Sequence, residues 1–146
     1  MSGQACRWQI RAASGSDLQA LVALDSIAAT DPQRARQIAG WLAEGAVWVA
    51  EHDGELAGYL ALHAQFFGEA FIAMLMVAAP RRGHGVGTAL LAHAAACSAG
   101  AKLFTSCNHS NAAMQRLLAA TGFQQCGIVH GLDEGDPELI FRYSGG

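Results

Sequence analysis

The stretch with the clearest chemical content is Pro80-Arg81-Arg82-Gly83-His84-Gly85-Val86-Gly87-Thr88, which lies between an apolar run from Ala70 to Ala78 and an alanine-rich run that stops at Gly100. Glycines at 83, 85 and 87 relieve the backbone of Cβ clashes, so successive N–H groups can converge on one point at the start of a helix. Such a point binds anions. Unpaired amides and the positive end of the helix dipole suit a pyrophosphate, and Arg81 and Arg82 add formal charge beside it. The backbone of His84 would do the binding there, and a protonated imidazole would strengthen it at low pH. Charge along the chain agrees: Ala70 to Leu132 holds four basic residues and no acidic one, whereas the other residues carry −7 of the total −3. The plain alternative is a glycine-rich loop that only turns a corner. A Walker loop needs a lysine before its Ser or Thr, and here Gly87 directly precedes Thr88. A dinucleotide fingerprint needs an acidic residue about 20 positions further on, and that region has none.

Arg82 followed three and five residues later by Gly85 and Gly87 resembles the acyl-coenzyme A signature of the GNAT superfamily of N-acetyltransferases. Asn111, with Gly122-Phe123 eleven and twelve residues later, is similar to a second GNAT signature. The resemblance covers nearly the whole chain and is specific between Leu75 and Phe123. It implies acetyl-CoA as cofactor, with the pyrophosphate on Arg82, Gly83, His84, Gly85, Val86, Gly87 and Thr88. It further implies that Asn111 contacts the coenzyme arm while Gly122-Phe123 turns the chain back. The implied fold is α/β, a GNAT-type mixed and mostly antiparallel sheet of about six to seven strands flanked by about four helices. In it a bulge splays a parallel strand pair, and the pantetheine arm lies in the gap beside Leu75, Met76 and Val77.

Transfer from a thioester to an amine requires a neutral amine, yet an alkylamine with a pKa of about 10.4 is almost fully protonated at neutral pH. A base, or water leading to one, must take that proton. The oxyanion formed by attack can be stabilised by backbone amides around Leu75, Met76 and Val77. The thiolate, with a pKa of about 8.5 by analogy with cysteine, leaves readily without an acid. Many GNAT enzymes place a tyrosine seven residues after the helix Asn, against the coenzyme sulfur; that position is Leu118 here. Those resembling ribosomal-protein N-terminal acetyltransferases also carry a glutamate five residues before the Asn, and here it is Ser106. Both departures weigh against N-terminal acetylation.

Three residues are candidates for the missing chemistry. Glu69 lies at the mouth of the central strand, as a base or as a solvated carboxylate. His63 lies on the neighbouring strand, as a base acting through water or as a packed core imidazole. Cys107 lies near the expected thioester, as an acyl-accepting nucleophile or as a small buried hydrophobe. Tyr59 and Tyr143 are the only phenols, and neither falls at the family's position. Asp133, Glu134, Asp136 and Glu138 form an acidic cluster, read either as a solvated turn or as a lure for a cationic amine.

These side chains must be positioned by alternating strands and helices. Cys6 to Ala12 reads as a first strand, and Ser14 to Asp17 caps a helix through Ala28. Asp31-Pro32 starts a second helix through Trp41-Leu42 that Gly45 ends, and this pair flanks the acceptor site in the implied fold. Ala46 to Glu51 and Leu56 to Ala64 form a hairpin around Asp53-Gly54, with a bend from Gln65 to Glu69. Ala70 to Ala78 reads as a strand covered on both faces, followed by the loop and a helix. Ala101 to Cys107 is then its parallel neighbour. Asn108 to Asn111 caps a helix, and strands follow at Phe123 to His130 and Pro137 to Tyr143.

With 146 residues, 52% of them hydrophobic, the chain is expected to form one domain over residues 1–146. Its net charge of −3 argues against nucleic acid as a partner. The scattered Cys6, Cys97, Cys107 and Cys126 suggest neither metal site nor disulfide framework. No apolar run is long enough to span a membrane, which suggests a cytoplasmic protein. The expected function is transfer of an acetyl group to a primary amine of a small molecule or peptide in a ternary complex. A catalytically weak acyl-CoA-binding sensor or assembly subunit is the alternative. Acceptor and chain length stay open, and a homodimer is compatible with the superfamily.

Overall fold

The computed structural model describes residues 8–145. Four α-helices and seven strands follow in the order β1 (Gln9–Ala12), α1 (Leu18–Leu24), α2 (Pro32–Ala43), β2 (Val47–His52), β3 (Glu55–Phe66), β4 (Glu69–Val77), α3 (Val86–Cys97), β5 (Leu103–Asn108), α4 (Ala112–Ala120), β6 (Phe123–Val129) and β7 (Glu138–Tyr143). Hydrogen bonding orders the strands β1-β2-β3-β4-β5-β7-β6, and β4 and β5 pair in parallel. The mixed sheet matches the sequence expectation. Two compact units are discernible, one built from residues up to Leu62 with Met74–His93, the other from His63–Ala73 with residues from Ala94 on. The beginning of the expected first strand, with Cys6, lies outside the described residues.

In the first unit, local chemistry sets the helix starts. Asp17 accepts from the Ser14 N–H at 2.9 Å and is clamped by both terminal nitrogens of Arg11, each at 3.0 Å. The Asp31 side chain accepts from the Gln33 N–H at 2.9 Å with Pro32 at the first helical position, which together terminate the preceding loop and pre-set φ for α2. The apolar faces of both helices then close on β2, β3 and β4 through Leu21, Ile38, Val47, Val49, Tyr59 and Met76.

A polar anchor lies within this core. Asp25 is 1% exposed and accepts from the Tyr59 hydroxyl at 2.6 Å, from Arg34 at 2.9 Å and from the Ile27 N–H at 2.9 Å. Burial alone would push its carboxyl up, but the hydrogen bonds from Tyr59, Arg34 and Ile27 outweigh it and hold the carboxyl below its ordinary range. Burial, reinforced by Asp25, raises Tyr59 and keeps it a phenol.

The two tight hairpin turns, β2 to β3 and β3 to β4, each have two central residues with positive φ, Asp53-Gly54 (52° and 79°) and Phe67-Gly68 (52° and 81°), the geometry that matches the twist of the flanking strands. The first is the expected turn; the second narrows the expected bend to two residues and lengthens β3 to Phe66. In the second unit, β5 alternates buried and half-buried residues, with Leu103, Thr105 and Cys107 on the buried face. α4 packs on β6, and its Leu118 is fully buried. β4 differs from expectation: only Ile72 and Met76 are buried, and its other residues are half-exposed. A strand is sealed on both faces only where other elements pack above and below it, and most of β4 lacks that cover.

Candidate functional site

Within the first unit, α3 begins at Val86, so Val86 and Gly87 belong to its first turn rather than to the loop. Gly83 and Gly85 hold φ of +82° and +84°, and an added Cβ would meet nothing within 4 Å, so their requirement is conformational rather than steric. The Gly85 carbonyl accepts from Ala89 at 3.0 Å and starts the helix ladder. The backbone N–H groups from Gly83 to Thr88 have no acceptor among the described residues. Six consecutive orphan donors at the positive end of a 12-residue helix, with no carboxylate among those six residues, are a donor set that fits a diphosphate. Arg82 is exposed, and its Nε donates to the last β4 carbonyl, Val77 O, at 3.3 Å. Arg81, next to it in the chain, pairs its guanidinium with Glu55 Oε1 at 2.9 Å.

Gly58 on β3 sets the approach of these parts. A Cβ there would sit 2.7 Å from Met76 O and 2.9 Å from Val86 Cγ1, so only glycine lets the end of β4 and the start of α3 come this close. Leu75 and Val77 are half-buried, whereas Met76 packs into the first unit's core.

Within the second unit, the parallel ladder joins Ala70 to Leu103, Phe71 to Phe104 and Ile72 to Thr105 and stops there, although β5 continues to Asn108. The buried Thr105 hydroxyl donates to Ile72 O at 3.0 Å and closes the last rung. Asn111 is the N-cap of α4, its side-chain oxygen accepting from Met114 N–H at 3.1 Å. Leu118 is 0% exposed and offers a ligand no surface.

The acetyltransferase (GNAT) family model matches residues 17–123. This chain belongs to the GNAT family. A GNAT-family acetyltransferase from Bacillus cereus is 31% identical, with 94% of this chain and 96% of that one covered and a TM-score of 0.84. The ribosomal-protein-S18-alanine N-acetyltransferase of Escherichia coli is 21% identical over 93% of this chain and 92% of that one, with a TM-score of 0.76. Ard1 from Thermoplasma volcanium is 17% identical over 94% and 97%, with a TM-score of 0.80. The last two likenesses bear on the fold alone. A search among curated proteins finds no match.

As a GNAT protein the chain lacks a phenol at Leu118, and neither tyrosine supplies one: Tyr59 is locked to Asp25, and Tyr143 packs on Phe123 with ring centroids 5.3 Å apart. Ser106, where some relatives carry glutamate, donates its hydroxyl proton to Glu138 Oε2 at 2.7 Å. A half-buried carboxylate from β7 thus stands beside the first β5 residue beyond the ladder, and among the described residues it has no cationic partner. Sequence reading placed Glu138 only within an acidic run. Its alternation on β7 with buried Leu139 and Phe141 is the signal that separates it from Asp133 and Asp136, which bind Asn108 and Ser110. Cys107 is 7% exposed, and burial, then the charge of Glu138, pushes its thiol up to about 11. Buried and held as the thiol, Cys107 is a poor nucleophile.

His63 accepts from the Gln65 N–H at Nδ1, 3.0 Å away, and packs on Phe71 with ring centroids 5.6 Å apart. With Nδ1 so engaged, a neutral His63 carries its proton on Nε2 and must break this bond to act as a base. Glu69 begins β4 at the Phe67-Gly68 turn, half-exposed, and no hydrogen bond or ion pair holds its side chain among the described residues. Among the described residues, no hydrogen bond or ion pair joins Glu69, His63 and Cys107.

Proposed function

We propose that this GNAT protein transfers an acetyl group from acetyl-CoA directly to a primary amine, in a ternary complex without a covalent enzyme intermediate. The observation that carries the reading is the run of orphan amides from Gly83 to Thr88 at the start of α3. The cofactor supplies an activated thioester. Arg82 and the Gly83–Thr88 backbone bind and orient its diphosphate, and Leu75, Met76 and Val77 flank the acyl end. The protonated, buried state of Cys107 supports direct attack. A base takes the amine proton, directly or through water, and in the second unit Glu138, oriented by Ser106, is the carboxylate to test for that role. With thiolate leaving ability intrinsic to the thioester, no phenol at position 118 is required.

The acceptor is a small-molecule or peptide amine. The Escherichia coli neighbour acts on the alanine of a ribosomal protein, but Ser106 in place of glutamate argues against the same acceptor class here. A second reading, an acyl-CoA-binding module with little turnover, draws on the absence of a phenol at Leu118. Coenzyme A release measured by mass spectrometry, with acetyl-CoA and pooled amines, peptides and aminoglycosides, separates them. Release with a matching acetylated product supports the transferase; tight binding without turnover in every pool supports the binding module.

A further inference from the structure

The Trp8 indole Nε1 donates to the main-chain carbonyl of His84 at 2.9 Å, bridging 76 residues of sequence within the first unit. The ring itself is held on two sides. The guanidinium carbon of Arg81 lies 5.9 Å over its centroid, and His52 meets it edge-on with ring centroids 5.9 Å apart. Arg81 is tied in turn to Glu55.

The bond to His84 fixes more than a carbonyl. The peptide between His84 and Gly85 is trans, so its C=O and its N–H point in opposite directions. Holding the carbonyl towards Trp8 aims the Gly85 N–H, one of the six orphan donors, away from it. Gly85 tolerates either sign of φ, so the loop's own covalent structure does not set this plane.

We infer that Trp8 is a positioning residue for the diphosphate cradle: its indole N–H fixes the His84–Gly85 peptide plane and so pre-orients an anion-binding amide. This rests on the acetyl-CoA reading of the loop. Preorganised donors bind without an ordering cost, so the effect falls on diphosphate-bearing ligands and spares the same acyl arm without the diphosphate.

The test is calorimetric titration of wild type and Trp8→Phe with coenzyme A and with S-acetylpantetheine, which lacks the diphosphate. Phenylalanine keeps an aromatic ring against Arg81 and His52 and removes the donor. The expected result is a Kd for coenzyme A raised about three- to tenfold, the net worth of one hydrogen bond, with the Kd for S-acetylpantetheine unchanged. Unchanged affinity for coenzyme A, or an equal loss for both ligands, overturns the role of Trp8. A wild type that binds coenzyme A no more tightly than S-acetylpantetheine overturns the diphosphate reading of the loop itself. If Trp8→Phe does not fold, 3-benzothienylalanine at position 8, with sulfur in place of the N–H, is titrated instead and judged by the same outcomes.

Discussion

Glu138 and Cys107 are neighbours on adjacent strands whose environments give them opposite roles. The Glu138 carboxylate is oriented by the Ser106 hydroxyl at 2.7 Å, whereas Cys107 is buried and its thiol is pushed up to about 11. Glu138→Gln is therefore expected to lower kcat by roughly 10²-fold, the usual scale for losing a general base, with the Kd for acetyl-CoA unchanged. Steady-state kinetics beside a binding titration checks this, and an unaltered kcat would remove Glu138 from the chemistry. Cys107→Ala is expected to keep kcat within about twofold, with a modest loss in melting temperature from the missing buried sulfur. Accumulation of acetylated Cys107 in the wild type, seen by intact-protein mass spectrometry, would reverse that assignment.

Among the elements, α1, α2 and β3 are joined by Asp25, Arg34 and Tyr59 rather than by apolar contact alone. Removing one member of a buried charged set leaves the others uncompensated, so Asp25→Ala is expected to cost about 3–5 kcal/mol in chemical denaturation. The pH dependence has a definite sign. Asp25 and Asp17 have depressed folded-state pKa values, so their stabilisation is complete above the unfolded value of about 3.9 and is lost as pH falls through the folded values. The wild-type melting temperature should fall with acidification below about pH 4, and Asp25→Asn should show a lower but flatter profile. Gly58 controls how β3 meets the end of β4 and the start of α3. Gly58→Ala drives a methyl into Met76 O and Val86, with an expected cost of about 1–3 kcal/mol. It should also weaken coenzyme A binding, since Val86 opens the helix that presents the cradle.

Across the whole molecule the charge is uneven, with the Ala70 to Leu132 stretch basic and the remainder acidic. Coenzyme A binding should weaken several-fold as ionic strength rises from 0.05 to about 0.5 M, since screening acts most on an exposed charge such as that of Arg82, while S-acetylpantetheine binding should barely respond. Isothermal titration at a series of salt concentrations decides it. This charge pattern, the Arg82-Gly85-Gly87 spacing, the Asp53-Gly54 turn and the Asn111 cap are all properties of residues close in the chain, and the sequence by itself determined them. It determined the strand and helix order for the same reason: a period of two or of about 3.6 is written locally. The second turn escaped because Phe67, 91% exposed at φ +52°, is an unusual residue for that geometry. Tertiary structure alone decided which distant groups meet: Trp8 with His84, Asp25 with Tyr59, Arg81 with Glu55, Ser106 with Glu138, and Gly58 with Met76. Those pairs leave no periodic trace, because each depends on where two separately formed elements are brought by the packing of their apolar faces.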